Sequence, residues 1–86
     1  MAKYDPLQEY LERIPPDVHE IRLSFHDIER ILGDALPASA HDWPAWWANQ
    51  TRLDTRPHAR AWLLAGWRVD EVDLRIARVC LRRRTT

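Results

Sequence analysis

Cysteine is scarce in this sequence and long apolar runs are absent, and each of these shortages excludes a class of protein. Cys80 is the only cysteine among 86 residues, so neither an internal disulfide nor a cysteine-rich zinc site can form. No apolar run reaches the length of about 18 residues that a membrane span needs. Lys3 and Asp5 near the N-terminus argue against a secretory signal. We therefore expect one soluble, cytoplasmic domain with no membrane partner.

The residues that would support catalysis are also sparse. Only two glycines occur, so there is no glycine-rich phosphate loop. Cys80 is an alternative nucleophile, but its place in a predicted strand favours a small buried side chain. The histidines are scattered, without the close spacing of a metal site, at positions 19, 26, 41 and 58. Asp42 beside His41 and Asp54 near His58 remain alternative acid-base partners or ligands, but we expect no enzyme, no cofactor, no metal and no small-molecule substrate.

Tryptophan and arginine, in contrast, are abundant. Each indole can bury on the order of 200 Å², and the five indoles are expected to form most of the core, with one exposed remnant: Trp43, Trp46, Trp47, Trp62 and Trp67. Residues 1–49 carry four basic and nine acidic side chains, whereas residues 50–86 carry nine arginines and four carboxylates. This asymmetry indicates an anionic partner, since arginine suits phosphate, or it lets the two halves attract each other.

Periodicity predicts the elements of the first half. Apolar residues recur at helical spacing before Pro15 and Pro16 end a first helix, at Tyr4, Leu7, Leu11 and Ile14. Alternation then predicts a strand whose buried face carries Ile21, Leu23 and Phe25. Ser24, with Asp27 three residues later, is a capping-box variant that begins a second helix, and Gly33 is a natural stop.

The second half is predicted to contain a helix and a hairpin. Thr55 before Pro57 begins a helix from about Arg56 to Ala65, which Gly66 ends. Two further segments, residues 67–74 and 78–82, form a hairpin that turns at residues 75–77, and the pattern at residues 70–71 indicates a bulge.

The resulting order of elements is close to that of a winged-helix domain. We therefore predict an α+β, winged-helix-like fold in which N-terminal helices accompany a short strand paired to a C-terminal β-hairpin. Residues 1–81 form the single domain, and residues 82–86 form a mobile basic tail. In winged-helix domains, the helix before the hairpin enters the DNA major groove.

The tryptophan cluster contains the most unusual motif, Trp46-Trp47-Ala48-Asn49. Asp42 as a cap, with Pro44 in the first turn, predicts a short helix here. Trp43 and Trp47 are expected in the core, with Asn49 capping the helix. Adjacent helical residues point about 100° apart, so we expect one of Trp46 and Trp47 to line a surface groove. In the alternative interpretation, an indole stacks on a base and the Asn49 amide contacts an adenine edge or a phosphate.

These residues resemble a family of small bacterial proteins that is a domain of unknown function, recognisable by the Trp-Trp-Ala-Asn motif and found alone or attached to larger proteins. The resemblance spans residues 3 to about 82 and implies an independently folding module without assigned chemistry. It rests on five segments: residues 3–7, 25–33, 36–40, 46–49 and 61–67.

We interpret the arginines of the second half as a surface, formed by a helix and the hairpin wing, that contacts DNA. In the alternative interpretation, they form a solvated face that pairs with the acidic helices of the first half. The candidate nucleic-acid-binding residues are Arg52, Arg56, His58, Arg60, Arg68, Arg75, Arg78, Arg82, Arg83, Arg84, Trp46 and Asn49. The leading expectation is a small module that binds double-stranded DNA, of the kind found in transcriptional, phage or defence regulators. The alternative is a protein-interaction or inhibitor module, or a homodimer, that uses the acidic first helix and an exposed tryptophan.

Overall fold

The computed structural model describes residues 3–49 and 57–84, which form an α+β domain. Helices and strands follow one another as α1 Asp5–Glu12, β1 Glu20–Ser24, α2 Phe25–Leu32, α3 Ala38–Asp42, a 3₁₀ turn Pro44–Trp47, α4 Pro57–Leu64, β2 Trp67–Asp73 and β3 Arg78–Arg83. No helix within these ranges is long and apolar enough to cross a membrane.

The three strands form one antiparallel sheet in the order β1-β3-β2. Ile21 lies opposite Leu81, and Leu23 lies opposite Val79. The predicted pairing of the short first strand with the C-terminal hairpin is therefore confirmed. The register of β2 against β3 shifts between Val69 and Glu71, which places a bulge where the sequence predicted one.

Helix α2 begins and ends at the residues that the sequence indicated. The Ser24 hydroxyl accepts a hydrogen bond from the Asp27 backbone N–H at 2.9 Å, and the Asp27 carboxylate accepts one from the Ser24 N–H at 3.0 Å. This is a complete capping box. Gly33 ends the helix in the left-handed conformation with φ 72°, which glycine adopts without steric cost.

Removing this cap should weaken the domain measurably. Replacing an N-cap serine by alanine typically costs about 1 kcal/mol, so we expect urea unfolding of Ser24→Ala to show that loss at neutral pH. Ser39→Ala is the matched control, because Ser39 is exposed and its hydroxyl makes no hydrogen bond within the described residues. An equal loss in both variants would contradict the capping role.

The same box predicts a pH effect. The Ser24 backbone N–H, followed by the Ser24 hydroxyl, lowers the pKa of Asp27 below its ordinary 3.8. A depressed folded-state pKa stabilises the fold above the ordinary pKa, and that stabilisation disappears as pH falls through the lowered value. Asp27→Ala should therefore show a shallower loss of stability on acidification than the parent. Unfolding curves from neutral to acidic pH would measure it, and an unchanged slope would contradict the prediction.

The tryptophan segment differs from the prediction. Instead of one short helix, α3 ends at Asp42 and a 3₁₀ turn begins at Pro44, separated by Trp43 in an extended conformation, φ −129° and ψ 116°. A residue before proline disfavours the helical region, which explains the break. Trp43 is 64% exposed, whereas Trp46 and Trp47 are 9% and 3% exposed. The expectation that Trp43 is buried and that one of Trp46 and Trp47 lines the surface is therefore wrong.

The C-terminal strand is longer than predicted. β3 continues through Arg83, and the Arg84 N–H donates to the Gly66 carbonyl at 2.8 Å. The arginines assigned to a mobile tail therefore belong to the sheet or its immediate end. The strand continues because His19 and Gly66 supply carbonyl partners on its two sides.

Candidate nucleic-acid interface

The aromatic residues of the motif form the centre of the core. Trp47 stacks on Phe25, with ring centroids 4.9 Å apart, and on Trp62, with centroids 5.9 Å apart. Trp46 lies parallel to the His58 ring, with centroids 3.9 Å apart and planes at 5°. The two adjacent indoles are both buried because Trp47 packs against Phe25 and Trp62, while Trp46 packs against His58 in the first turn of α4.

Asn49 joins this aromatic cluster to the sheet. Its side-chain Oδ1 accepts hydrogen bonds from the Val69 backbone N–H at 2.8 Å and the Trp62 indole N–H at 3.0 Å. Its Nδ2 donates to the Val69 carbonyl at 2.8 Å. The amide thus pairs with the outer edge of β2 as a neighbouring strand would. The prediction that Asn49 caps its own helix is therefore wrong.

His58 is also engaged within the fold. Its Nε2 lies 2.8 Å from the Trp46 carbonyl oxygen. Because a carbonyl oxygen only accepts, Nε2 must carry the hydrogen. Trp46, Asn49 and His58 were all candidates for nucleic-acid contact, but their ring faces or amide groups are occupied by internal partners. The arrangement therefore leaves the arginines as the charged candidates.

One group of arginines is neutralised on the outer face of the sheet. Arg82 contacts Glu20 at 2.6 Å and Asp70 at 3.5 Å. Arg22 lies 3.2 Å from Glu20, and Arg68 lies 3.0 Å from Asp70. The local field for an anion is weakened here, because the carboxylates alternate with the guanidinium groups.

A second group is tied to the backbone. The Arg83 guanidinium donates to the Val18 carbonyl at 2.9 Å and to the Pro15 carbonyl at 3.0 Å. It also lies 4.4 Å from the centroid of the Trp67 ring, a cation–π distance. Arg84 donates more weakly to the Leu63 carbonyl at 3.4 Å. Arg83 therefore holds the loop before β1 against the sheet.

A third group of arginines is exposed and makes no ion pair within residues 3–49 and 57–84. Arg60 projects from α4, Arg75 lies in the hairpin turn, and Arg78 begins β3. The turn itself is shaped by the Asp73 carboxylate, which accepts the Arg75 N–H at 3.0 Å, and by Ala77 at φ 52°. Arg52 and Arg56 lie outside the described residues.

A single family profile covers the described segments that form these contacts. A family profile described as Domain of unknown function (DUF7662) matches residues 4–86. The chain belongs to this family. No curated protein and no solved structure gives a significant match. The DUF7662 description assigns no activity.

Two structural contacts of this DUF7662 domain were not predicted from the sequence. Glu20 lies between Arg22 and Arg82 and neutralises both. Arg83 looked like a tail residue but bonds to the loop before β1. The register of β1 against β3 brings Arg82 to Glu20 and Arg83 to the loop before β1. The Glu20–Arg22 pair, in contrast, lies within β1 at a spacing of two residues, which places both side chains on one face of the strand.

Cys80 lies on β3 beside these charges and is half-buried. Burial, followed by the nearby Glu20 carboxylate, raises the pKa of its thiol. A raised pKa lowers the fraction of thiolate, the nucleophilic form of the side chain. Among the described residues, no three His, Cys, Asp or Glu side chains are grouped closely enough to hold a metal ion.

Proposed function

We propose that this domain binds duplex DNA as a winged-helix-like module, through the exposed side of α4 and the β2–β3 turn. The observation that supports the proposal is the connectivity: α4 runs directly into the hairpin, and β1 pairs with the second strand of that hairpin. Winged-helix proteins place a recognition helix and a wing in this order. A fold alone does not specify a function, so DNA contact depends on particular side chains.

The side chains narrow the contact surface to three arginines. Arg60 on α4 and Arg75 and Arg78 on the hairpin are exposed and have no carboxylate within salt-bridge distance in the described part of the chain. An unpaired guanidinium meets a phosphate without first giving up an ion pair. Arg68 and Arg82, in contrast, already contact Asp70. We therefore assign them to the sheet surface.

A duplex titration with matched arginine variants tests this assignment. Non-specific binding of this type has a dissociation constant of about 10⁻⁴ to 10⁻⁶ M and weakens steeply with salt. Arg60→Ala and Arg75→Ala should each reduce the slope of log affinity against log salt by about one. Arg68→Ala removes the same charge from a paired site and should leave the slope nearly unchanged. Fluorescence anisotropy with a random duplex at several salt concentrations would measure all three.

Two results would decide against the proposal. One is the absence of binding at low salt and micromolar protein. The other is an equal loss in all three variants, which would indicate attraction by total charge alone. If binding occurs, a site selected from a random pool separates the roles further. Arg60→Ala should then lose discrimination of roughly 1 to 3 kcal/mol per base contact, while Arg75→Ala should weaken selected and scrambled duplexes alike.

A protein-interaction module is the second candidate, favoured by the exposure of Trp43. This indole is 64% exposed beside Pro44 and Ala45, which are also exposed, and exposed tryptophans are frequent anchors of protein interfaces. The acidic first helix contributes Asp5, Glu9 and Glu12. Failure to bind or select any duplex, together with loss of partner capture in Trp43→Ala, would favour this function over DNA binding.

A further inference from the structure

Strand β1 is an outer strand whose free edge can be identified from the hydrogen bonds of the sheet. The Arg83 N–H donates to the His19 carbonyl, and the Phe25 N–H donates to the Ala77 carbonyl, each at 2.8 Å. In an antiparallel pair, alternate residues point their backbone groups toward the partner strand. The odd-numbered residues of β1 therefore face β3. The backbone N–H and C=O groups of Glu20 and Arg22 face away from the sheet.

The outward backbone groups at the two edges of the sheet differ in their hydrogen-bond partners. On β2, the Asn49 side chain occupies both outward backbone groups of Val69. On β1, the outward backbone groups of Glu20 and Arg22 make no hydrogen bond to any other described residue. The Ser24 N–H, which follows them, is used by the Asp27 carboxylate. An open edge of this kind is a template for another strand.

A groove lies beside the open edge on the helical side of the sheet. It has a volume of about 470 Å³ and is lined by Tyr10, Leu23, Asp27, Arg30 and Ile31. Tyr10, which lines this groove, is 42% exposed. A strand added next to β1 would place its inward side chains over this groove.

We propose that β1 pairs antiparallel with β1 of a second copy of this chain. The charges of the strand select the register. Glu20 and Arg22 contact each other at 3.2 Å within one copy. When Glu20 lies opposite Arg22 of the second copy, these charges alternate in sign across the new strand pair, and Ile21 meets its own counterpart on the inner face. A shift of two residues either way places Glu20 opposite Glu20 or Arg22 opposite Arg22, which is destabilising.

The proposed register also uses the backbone groups that are open. Glu20 and Arg22 of the two copies form the hydrogen-bonded pairs, while the two Ile21 residues form the closer, non-hydrogen-bonded pair. The symmetry is a two-fold, and such interfaces are self-complementary. Asp27 and Arg30 line the same groove. Across a two-fold axis, the carboxylate of one copy can therefore lie opposite the guanidinium of the other. The dimer is independent of the proposed DNA binding.

The test combines mass measurement with two variants of one residue. The parent should approach twice its 10.2 kDa monomer mass as its concentration rises in sedimentation equilibrium. Arg22→Pro removes an N–H that faces away from β3, which edge strands tolerate, and should stay monomeric. Arg22→Thr keeps that N–H but removes the charge pairs, so its association should be weaker by roughly 2- to 20-fold.

Amide hydrogen exchange gives a second readout that does not depend on a variant. The amides of Glu20 and Arg22 should become protected as the concentration of the parent rises. The amides of Ile21 and Leu23, which face β3, should be protected at every concentration and serve as the control. A parent that remains monomeric at all concentrations, or an Arg22→Pro variant that is folded by circular dichroism and still dimerises like the parent, would overturn the proposal.

Discussion

Replacing Trp62 by alanine is expected to lower the free energy of unfolding by about 3 to 5 kcal/mol. Trp62 is 1% exposed, its ring stacks on Trp47, and its indole N–H is the donor that Asn49 accepts. Alanine removes the ring and leaves a cavity that the surrounding stack cannot fill without losing its own contacts. For a domain of this size, such a loss lowers the Tm by about 12 °C or more.

Trp43→Ala is the matched control for this substitution. It removes an identical side chain, but one that is 64% exposed, so its effect should stay within about 0.5 kcal/mol. Thermal and urea unfolding of both variants would measure the difference. Equal stability of Trp62→Ala and the parent would mean that the aromatic stack does not hold the domain together.

Replacing Asn49 by alanine is expected to cost about 2 to 3 kcal/mol, because three hydrogen bonds are lost at once. The Trp62 indole N–H loses its acceptor in a largely buried site, and both backbone groups of Val69 lose their partner. The edge of β2 is then open to solvent or to another strand. We therefore expect faster amide exchange at Val69 as well as a lower midpoint in urea.

Gln8→Ala is a suitable control, since it also removes a side-chain amide. The Gln8 amide makes one exposed hydrogen bond to Glu12 at 3.4 Å, and its loss should change stability by less than about 0.5 kcal/mol. If Asn49→Ala were as stable as Gln8→Ala, the amide at position 49 would have no structural role, and its use in contacting a ligand would have to be considered again.

Local signals were sufficient for the elements that depend on neighbouring residues. The Ser24–Asp27 cap and the Gly33 stop lie within one helix and act over three to nine positions, so the sequence predicted both. The same holds for the bulge after Val69, where two adjacent acidic residues break the alternation. Helix α4 followed from Pro57 and Gly66 for the same reason.

The tryptophan segment shows where local reasoning failed. A regular helix would place Trp43 and Trp47 on one face, and the sequence prediction followed that geometry. The chain instead breaks at Trp43 and continues as a 3₁₀ turn, which changes the direction of every following side chain. Trp46 is buried by its contact with His58, twelve residues away, and that contact has no signature in the segment itself.

Composition, periodicity and residues a few positions apart were sufficient to predict the α+β class, the pairing of β1 with the hairpin, the capping box and Gly33 stop of α2, the bulge, and a core built largely from indoles. Which arginines stay exposed without an ion pair depends on the tertiary structure. Arg68 and Arg82 meet Asp70, Arg83 bonds to the Pro15 carbonyl, and Arg60 stays exposed. Apart from the Arg68–Asp70 pair, which lies two residues apart within β2, these outcomes depend on strand register and on packing between distant segments. Arg82 meets Asp70 across the hairpin, and Arg83 lies 68 residues from Pro15 in the sequence, so the identity of each arginine carries no information about its partner.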